Sequence, residues 1–404
     1  MLRALSGVAI VAGTLALSRR FEAIDLARFA VCWWGVLLAL SGAVRMRHRR
    51  SPFARPREFV GCAAASVLFW DLFELLNFRL HDWWYVGVPR TAVGGAAFSA
   101  VCYATVLPAA RYALALASPL PDSRTGVAPP APRVARPLFA TFAGSLALVL
   151  SVPRIAFPLA WLLLWFLFEA ELARRSEREP HLLSPLEAWR AGDRRVLLTL
   201  LGVALPIGLC WEALNYGCER GWMYTVPHFE SWKLFEMPLP GYLGYLPFLL
   251  ECGAALAIVS ITASRVHGTR AVVLLVAIAG FHWEVERVGR RTTALSVTPR
   301  MDDSRTLSAD DFAWLRKQGL ETPLDVLRAR DEAHPRVRAL AELAQVAYLG
   351  VPWAERLMRA GISSRAALAA ADPSRLHEAL SAQAEKAPEP AVVRLWVRAA
   401  ARSR

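Results

Sequence analysis

Long apolar stretches constrain this chain more than any other feature. They recur at close to membrane-spanning length through the first 285 of 404 residues and then stop. A helix needs about 20 apolar residues to cross a bilayer, at a rise of about 1.5 Å per residue. The candidates are 4–18, 28–44, 59–78, 92–117, 137–152, 155–173, 196–216, 239–263 and 271–283. The first and last are short and must borrow flanking residues or thin the bilayer. A composition that is 55% hydrophobic, with mean hydropathy +0.32, fits the same class. The expected fold is all-α: a polytopic helical membrane bundle of about nine spans, in two parallel repeats of four plus one, with a small soluble helical C-terminal domain. The expected divisions are repeat 1 over 1–118, a Pro-rich linker over 119–136, repeat 2 with the ninth span over 137–285, and the soluble domain over 286–404.

The repeats rest on a duplicated motif. At an offset of 138 residues, Glu74, Leu76, Asn77, Trp84, Val88 and Pro89 match Glu212, Leu214, Asn215, Trp222, Val226 and Pro227. Those are six identities in the seventeen pairs from 73/211 to 89/227, where unrelated segments give about one. Equivalent Arg-rich loops, 45–57 and 174–195, follow in the two halves. The positive-inside rule places both in the cytoplasm, and the aromatic motif loops 79–91 and 217–238 outside. An even number of spans per repeat makes the halves parallel. The ninth span would leave the tail outside unless 271–283 is re-entrant or interfacial, whereas Arg287, Arg290 and Arg291 argue for the cytoplasm. The expected location is therefore the cytoplasmic (inner) membrane, multi-pass. Residues 4–18 read as an uncleaved span, because Leu17-Ser18-Arg19-Arg20 is a poor cleavage site.

Charge limits the partners. The net +13 sits mostly in the membrane part, since residues from Met301 onward hold 16 Lys+Arg against 14 Asp+Glu. That distribution suits contact with anionic lipid better than nucleic-acid binding. Cysteines 32, 62, 102, 210, 218 and 252 show no CxxC spacing and read as apolar packing residues. Neither a metal site nor a cofactor is expected.

Ionisable groups inside spans cost on the order of 3 kcal/mol at the bilayer centre, so they point into the bundle. Glu74/Asn77 and Glu212/Asn215 each lie three apart on one helical face, and Asp71 extends the first face. Either these side chains hydrogen-bond the halves together, or they line a polar site for a headgroup, a proton or a divalent cation. Glu236 and Glu251 flank a Pro/Gly-rich stretch, Met237 to Tyr245, and are the next candidates. Trp83, Trp84, Tyr85, Trp211, Trp222, Tyr224 and Trp232 are expected as an interfacial aromatic belt, with stacking on a ligand as the alternative. No HExxH, P-loop, GxSxG or DxDxG pattern is present.

In the tail, Tyr348-Leu349-Gly350-Val351-Pro352, a helix to Ala360-Gly361-Ile362, Ser363 or Ser364 as N-cap, and Asp372-Pro373 opening a further helix resemble the helix-hairpin-helix family. The nucleic-acid-binding members present two glycines and backbone N–H groups to phosphate. Here Pro352, which has no N–H, replaces the second glycine, so the resemblance implies a protein partner for residues 301–404 rather than DNA. Paired bundles with acidic motifs are similar in architecture to membrane prenyltransferases and small lycopene cyclase domains. Of the Asp-rich diphosphate motif, Asp71-x-x-Glu74-x-x-Asn77 keeps only part, and the cyclase Pro-x-Glu-Glu pattern is missing. The whole chain resembles bacterial membrane proteins that join such a core to a helix-hairpin-helix-like tail, which implies no activity. Three readings stay open: a lipid-binding or scaffold core with a partner-recruiting tail, a membrane enzyme acting on an isoprenoid or other lipid through intramembrane Glu residues, and a secondary transporter.

Overall fold

In the computed structural model, residues 1–53, 55–117, 125–126, 131–175, 181–229, 232–329, 334–346, 349–383 and 388–401 are described. Most of the expected linker, together with Arg178 and Tyr348, lies outside them. From Pro132 onward the linker is already helix.

The chain divides into two compact units. The membrane unit comprises Met1–Trp83, Thr91–Cys218 and Trp222–Thr293. Its helices are α1 (Leu2–Ser18), α2 (Glu22–His48), α3 (Pro56–Leu80), α4 (Ala92–Tyr103), α5 (Val106–Ala117), α6 (Pro132–Ser151), α7 (Pro153–Ala156), α8 (Ala160–Arg174), α9 (Pro185–Arg190), α10 (Arg195–Asn215), α11 (Tyr245–Arg265) and α12 (Thr269–Thr292). Strands are few: β1 (Trp83–Val86), β2 (Thr125–Gly126), β3 (His181–Leu182), β4 (Gly221–Tyr224), β5 (Lys233–Leu234) and β6 (Met237–Pro238). β2 pairs antiparallel with β3, Thr125 opposite Leu182, and β5 with β6, Lys233 opposite Pro238.

Among the described residues, seven segments are long and apolar enough to cross a membrane: Glu22–His48, Pro56–Leu80, Ala92–Ala117, Pro132–Ser151, Pro153–Arg174, Arg195–Asn215 and Leu239–Ala263. The protein is thus an all-α, multi-pass membrane protein, with seven such segments instead of nine. The two shortfalls have physical causes. α1 has only 17 residues. The apolar run 271–283 is the first half of α12, whose second half carries Glu284, Glu286, Arg287, Arg290 and Arg291.

The surface inverts the pattern of a water-soluble globule. Val272, Val273 and Val276 on α12, Leu198 on α10 and Phe139 on α6 are exposed, while Asp71, Glu74, Asn77, Glu212 and Glu251 are buried. Lipid tails solvate the outer face and leave the interior to polar contacts. Small residues bring α1 against α2: a Cβ on Gly7 would lie 2.5 Å from Gly35 O, and one on Gly42 would lie 2.4 Å from Ala4 N. Polar side chains also repair breaks in the helices. Between α4 and α5, Ser66 of α3 donates to Tyr103 O at 2.5 Å and accepts from Leu107 N at 3.0 Å. Near the start of α8, Glu251 of α11 accepts from Leu164 N at 3.0 Å and Trp165 N at 3.4 Å.

The second unit comprises Trp84–Arg90, Glu219–Gly221 and Ala294–Arg404. Its helices are α13 (Ala309–Gln318), α14 (Pro323–Arg328), α15 (Pro335–Ala344), α16 (Gly350–Arg359), α17 (Arg365–Ala369), α18 (Pro373–Ser381) and α19 (Pro390–Ala401). Several starts and stops have a local cause. Ser308 and Thr322 form capping boxes with Asp311 and Asp325, and Gly319 closes α13 in the left-handed region. Ser364 and Asp372 cap α17 and α18. Leu340, Leu343, Val351 and Leu357 are buried, as the amphipathic pattern requires. Arg90 binds Asp303 through two bonds of 2.7 Å, and Tyr85 and Val88 bridge Ala294 and Val297 in parallel.

Candidate functional site

The duplicated motif has two parts. Its asparagines do the same work in both copies. Asn77, at the end of α3, accepts from Asp82 N (3.0 Å) and Trp83 N (3.2 Å) and donates to Trp83 O (2.8 Å). Asn215, at the end of α10, accepts from Trp222 N (3.1 Å) and donates to Trp222 O (2.8 Å). Each folds the chain leaving its helix back onto that helix. The hydrogen bonds therefore match Trp222 with Trp83, where the gapless alignment matched it with Trp84, and the second loop holds one residue more. Thr225 joins the copies, donating to Asp82 O (2.8 Å) through its N–H and to His81 O (2.6 Å) through its hydroxyl.

The glutamates differ. Glu74 Oε1 accepts from the indoles of Trp70 (2.8 Å) and Trp83 (3.2 Å). Glu212 Oε1 accepts from the phenols of Tyr224 (2.8 Å) and Tyr245 (2.7 Å). Tyr224 in turn accepts from Trp222 Nε1 at 2.8 Å. Glu212 is fully buried, and its Oε2 has no hydrogen-bond partner. An unmade bond at a buried acceptor costs about 1–3 kcal/mol, and more if the group is charged.

Both carboxylates reach one chamber through their donors. Trp70, Tyr224 and Tyr245 line a small cavity of about 40 Å³ together with Trp33, Trp161, Trp211 and Phe248. The rings interlock, with centroids 4.8 Å apart for Trp33 and Trp211 and 6.0 Å for Trp70 and Trp211. The aromatic-belt expectation is corrected here. Trp83, Trp84, Trp222 and Tyr224 are buried, and Trp83, Trp222 and Tyr224 bond in the interior to motif side chains. Trp232, 73% exposed, keeps the character expected of a belt residue, and Tyr85 is half-buried.

Asp71 goes elsewhere, joining a cluster that the sequence reading missed. His282 of α12 places Nδ1 2.9 Å from Asp71 Oδ1 and Nε2 3.2 Å from Ser99 Oγ. This resembles a Ser-His-Asp arrangement, but Nε2 also lies 2.9 Å from Ala96 O. A carbonyl can only accept, so Nε2 carries a proton and cannot take one from Ser99. Ser99 also donates to Glu286 Oε2 at 3.0 Å. A Cβ on Gly95 would lie 2.6 Å from Glu286 Oε1 and 2.8 Å from Arg290 Nη1, the ends of two flexible side chains that could shift to make room. The cluster clamps the polar half of α12 onto α3 and α4. Ser99 and His282 stand 183 positions apart with no local pattern around either, so only the fold brings them together.

A second cavity, a groove of about 1060 Å³, is walled by α3, α11 and α12. Its lining is apolar from Val60 to Leu72 and from Ala255 to Val266, apart from Cys62, Ser260 and Thr262. Its other polar lining is concentrated in Arg55, Arg57, Glu58, Arg111 and His267. From Arg57 to Leu72, 15 residues at about 1.5 Å each give a length of ~22 Å. Arg111, on α5, is half-buried, and its hydrogen bond goes to Pro52 O at 3.4 Å.

Of the remaining candidates, Glu251 serves the α8 backbone through Oε1 and leaves Oε2 unpartnered, and Glu236 is buried immediately before β6. The six cysteines are free thiols, five of them buried. Among the described residues, no three His, Cys, Asp or Glu side chains are grouped to hold a metal ion. No curated protein and no solved structure matches the chain. Residues 313–402, all within the helical tail, match the family model described as "Domain of unknown function (DUF4332)".

Proposed function

We propose that the membrane unit binds a membrane lipid with an anionic headgroup in the groove walled by α3, α11 and α12. The observation that carries this reading is Arg111, a guanidinium held at an apolar wall. A cation there is costly unless it meets an anion, and Glu58 is the acidic member of a lining that also holds Arg55, Arg57 and His267. Guanidinium groups bind phosphate oxygens in a bidentate fork. The apolar wall from Val60 to Leu72, ~18 Å long, is enough for the acyl chains of one leaflet of a bilayer whose hydrocarbon core is ~30 Å thick. The Arg-rich end is placed at the cytoplasmic leaflet by the positive-inside rule, where anionic lipids attract basic residues. The tail, near neutral in charge, is read as a protein-binding module.

Native mass spectrometry of the delipidated chain tests this with dioleoyl phosphatidic acid against dioleoyl phosphatidylcholine. Phosphatidic acid should be retained about tenfold better, and Arg111→Gln should remove most of that preference. Equal retention of the two lipids, or a preference unaltered in Arg111→Gln, refutes the reading.

A further inference from the structure

The tail forms one compact body with two loops that join the spans. Residues 84–90 connect α3 to α4, residues 219–221 follow α10, and both segments belong to the same unit as 294–404. Backbone hydrogen bonds tie them together: Leu295 N donates to Tyr85 O (2.7 Å), Val88 N to Ser296 O (3.0 Å) and Thr298 N to Val88 O (2.9 Å). Arg220 donates to Gly87 O at 2.8 Å and to Thr298 Oγ1 at 3.0 Å. Gly87 has φ +59°, and a Cβ there would collide with Glu219 O. Only glycine combines that backbone with that approach. Pairing of this kind requires the tail and both motif loops to share a compartment.

α12 supplies the route. It runs parallel to α3 and in step with it. His282 lies 2.9 Å from Asp71, and a Cβ on Gly289 would lie 3.6 Å from Phe78 Cε1. Both pairs are 211 positions apart. At the opposite end, His267 and Gly268, just before α12, line the groove together with Arg55 and Arg57 at the start of α3. With 24 residues, α12 is ~36 Å long, against a hydrocarbon core of ~30 Å. Its polar half is of a kind that a span tolerates. His282 and Glu286 turn inward to Asp71 and Ser99, Arg287 pairs with Glu284 at 2.7 Å, and Arg290 and Arg291 fall in the last turn.

We propose that α12 crosses the membrane beside α3 and displays the tail, together with the motif loops, on the extracytoplasmic face. α3 starts at the Arg-rich loop 45–57 and ends at the motif loop 79–91, so a parallel α12 that starts beside Arg55 and Arg57 ends on the motif side. The positive-inside rule makes that side the outer one. Six arginines in 45–57 and six in 174–195 outweigh Arg287, Arg290 and Arg291. A protein partner of the tail then meets the membrane from outside. That last step rests on the protein-binding reading of the tail, and the crossing itself does not.

The test is labelling with a membrane-impermeant maleimide, before and after lysis of bacterial spheroplasts, of full-length variants that each carry one added cysteine. The native thiols, five buried and one half-buried, set a background measured on the unsubstituted chain. Exposed positions report each face: Arg47→Cys in the Arg-rich loop, Phe229→Cys in the second motif loop and Lys317→Cys in the tail. Phe229→Cys and Lys317→Cys should react fully before lysis, and Arg47→Cys only after it. Protection of Lys317→Cys until lysis, or reaction of Arg47→Cys before it, overturns the proposal. Alkaline phosphatase fused to the C-terminus of the unsubstituted chain gives a second readout, since its disulfides form only in an oxidising compartment. The fusion should be active, and an expressed but inactive fusion overturns the proposal. Neither readout involves lipid, so failure here and failure of the groove's lipid preference are told apart.

Discussion

The two motif copies solve one structural problem in the same way and a second in different ways. Asn77 and Asn215 both cap the chain that leaves their helices. The residue one turn before each glutamate differs: Trp70 in the first copy and, 138 positions later, Gly208 in the second. Trp70 supplies a donor to Glu74 itself. Gly208 leaves a space, Tyr245 of α11 fills it, and a phenol supplies the donor instead. An indole N–H can only donate, whereas a phenol can also accept. The first carboxylate accepts at short range from two indoles, with the Tyr103 phenol farther away at 3.5 Å, while the second accepts at short range from two phenols, in a network that can change its hydrogen-bonding roles. The asparagine is a requirement of the fold, and the glutamate environment is where the halves have become different.

The largest expected effect attacks the shared part. Asn77→Ala strands two buried N–H groups, those of Asp82 and Trp83, at about 1–3 kcal/mol each. The loss should reach about 4 kcal/mol. Asn215→Ala strands one N–H, that of Trp222, and should lose about 2 kcal/mol. Chemical unfolding followed by tryptophan fluorescence measures both. Equal losses would mean that the copies are capped alike, and the extra bond in the first would carry no weight.

Much of this was legible in the sequence, and the parts that were not share a cause. Helical spacing placed Glu74 with Asn77, and Glu212 with Asn215, on one face, because that information is local, while the asparagines' work of holding their own loops came only with the fold. Two of the nine expected spans fall short because hydropathy counts apolar residues without registering that α1 has only 17 residues and that α12 turns polar after Trp283. The roles of Tyr245, Ser99 and His282 depend on which helices pack together, and no local pattern encodes that. The aromatic loops were misread for a related reason. A tryptophan near a span end reads as a lipid anchor, and only the fold shows its N–H bonded to a buried Glu74 or Tyr224.

An intermediate effect comes from Asp82, in the loop that Asn77 holds. Burial pushes its carboxyl up to about 8 from an ordinary 3.8, and its Oδ1 has no partner. Between those values the folded state keeps a proton that the unfolded state has released. Stability is therefore greatest at or below the unfolded value and falls as pH rises toward the folded one. One pH unit corresponds to about 1.4 kcal/mol, so raising the pH from roughly 6 to 7.5 should cost about 2 kcal/mol. Position 82 in the second copy's alignment is Arg220, so the liability belongs to the first loop alone. Asp82→Asn should flatten the profile, and a slope unchanged in that variant would assign it to another group.

The smallest effect separates the glutamates most directly. Tyr245→Phe keeps the ring that packs against Gly208 and removes only the hydroxyl 2.7 Å from Glu212 Oε1. Tyr224 still donates to the same oxygen at 2.8 Å, so the loss should be about 1 kcal/mol rather than the full value of a charge-assisted bond. A double-mutant cycle with Glu212→Gln isolates the pair, because removing the charge should also remove most of what the phenol contributes. A coupling energy of about 1 kcal/mol is expected. A coupling near zero would mean that the phenol touches Glu212 without acting on it, and the contrast between Trp70 and Gly208 would reduce to a difference in packing. With coupling present, the space at Gly208 is what gives the second copy a carboxylate held by a neighbouring helix rather than by its own.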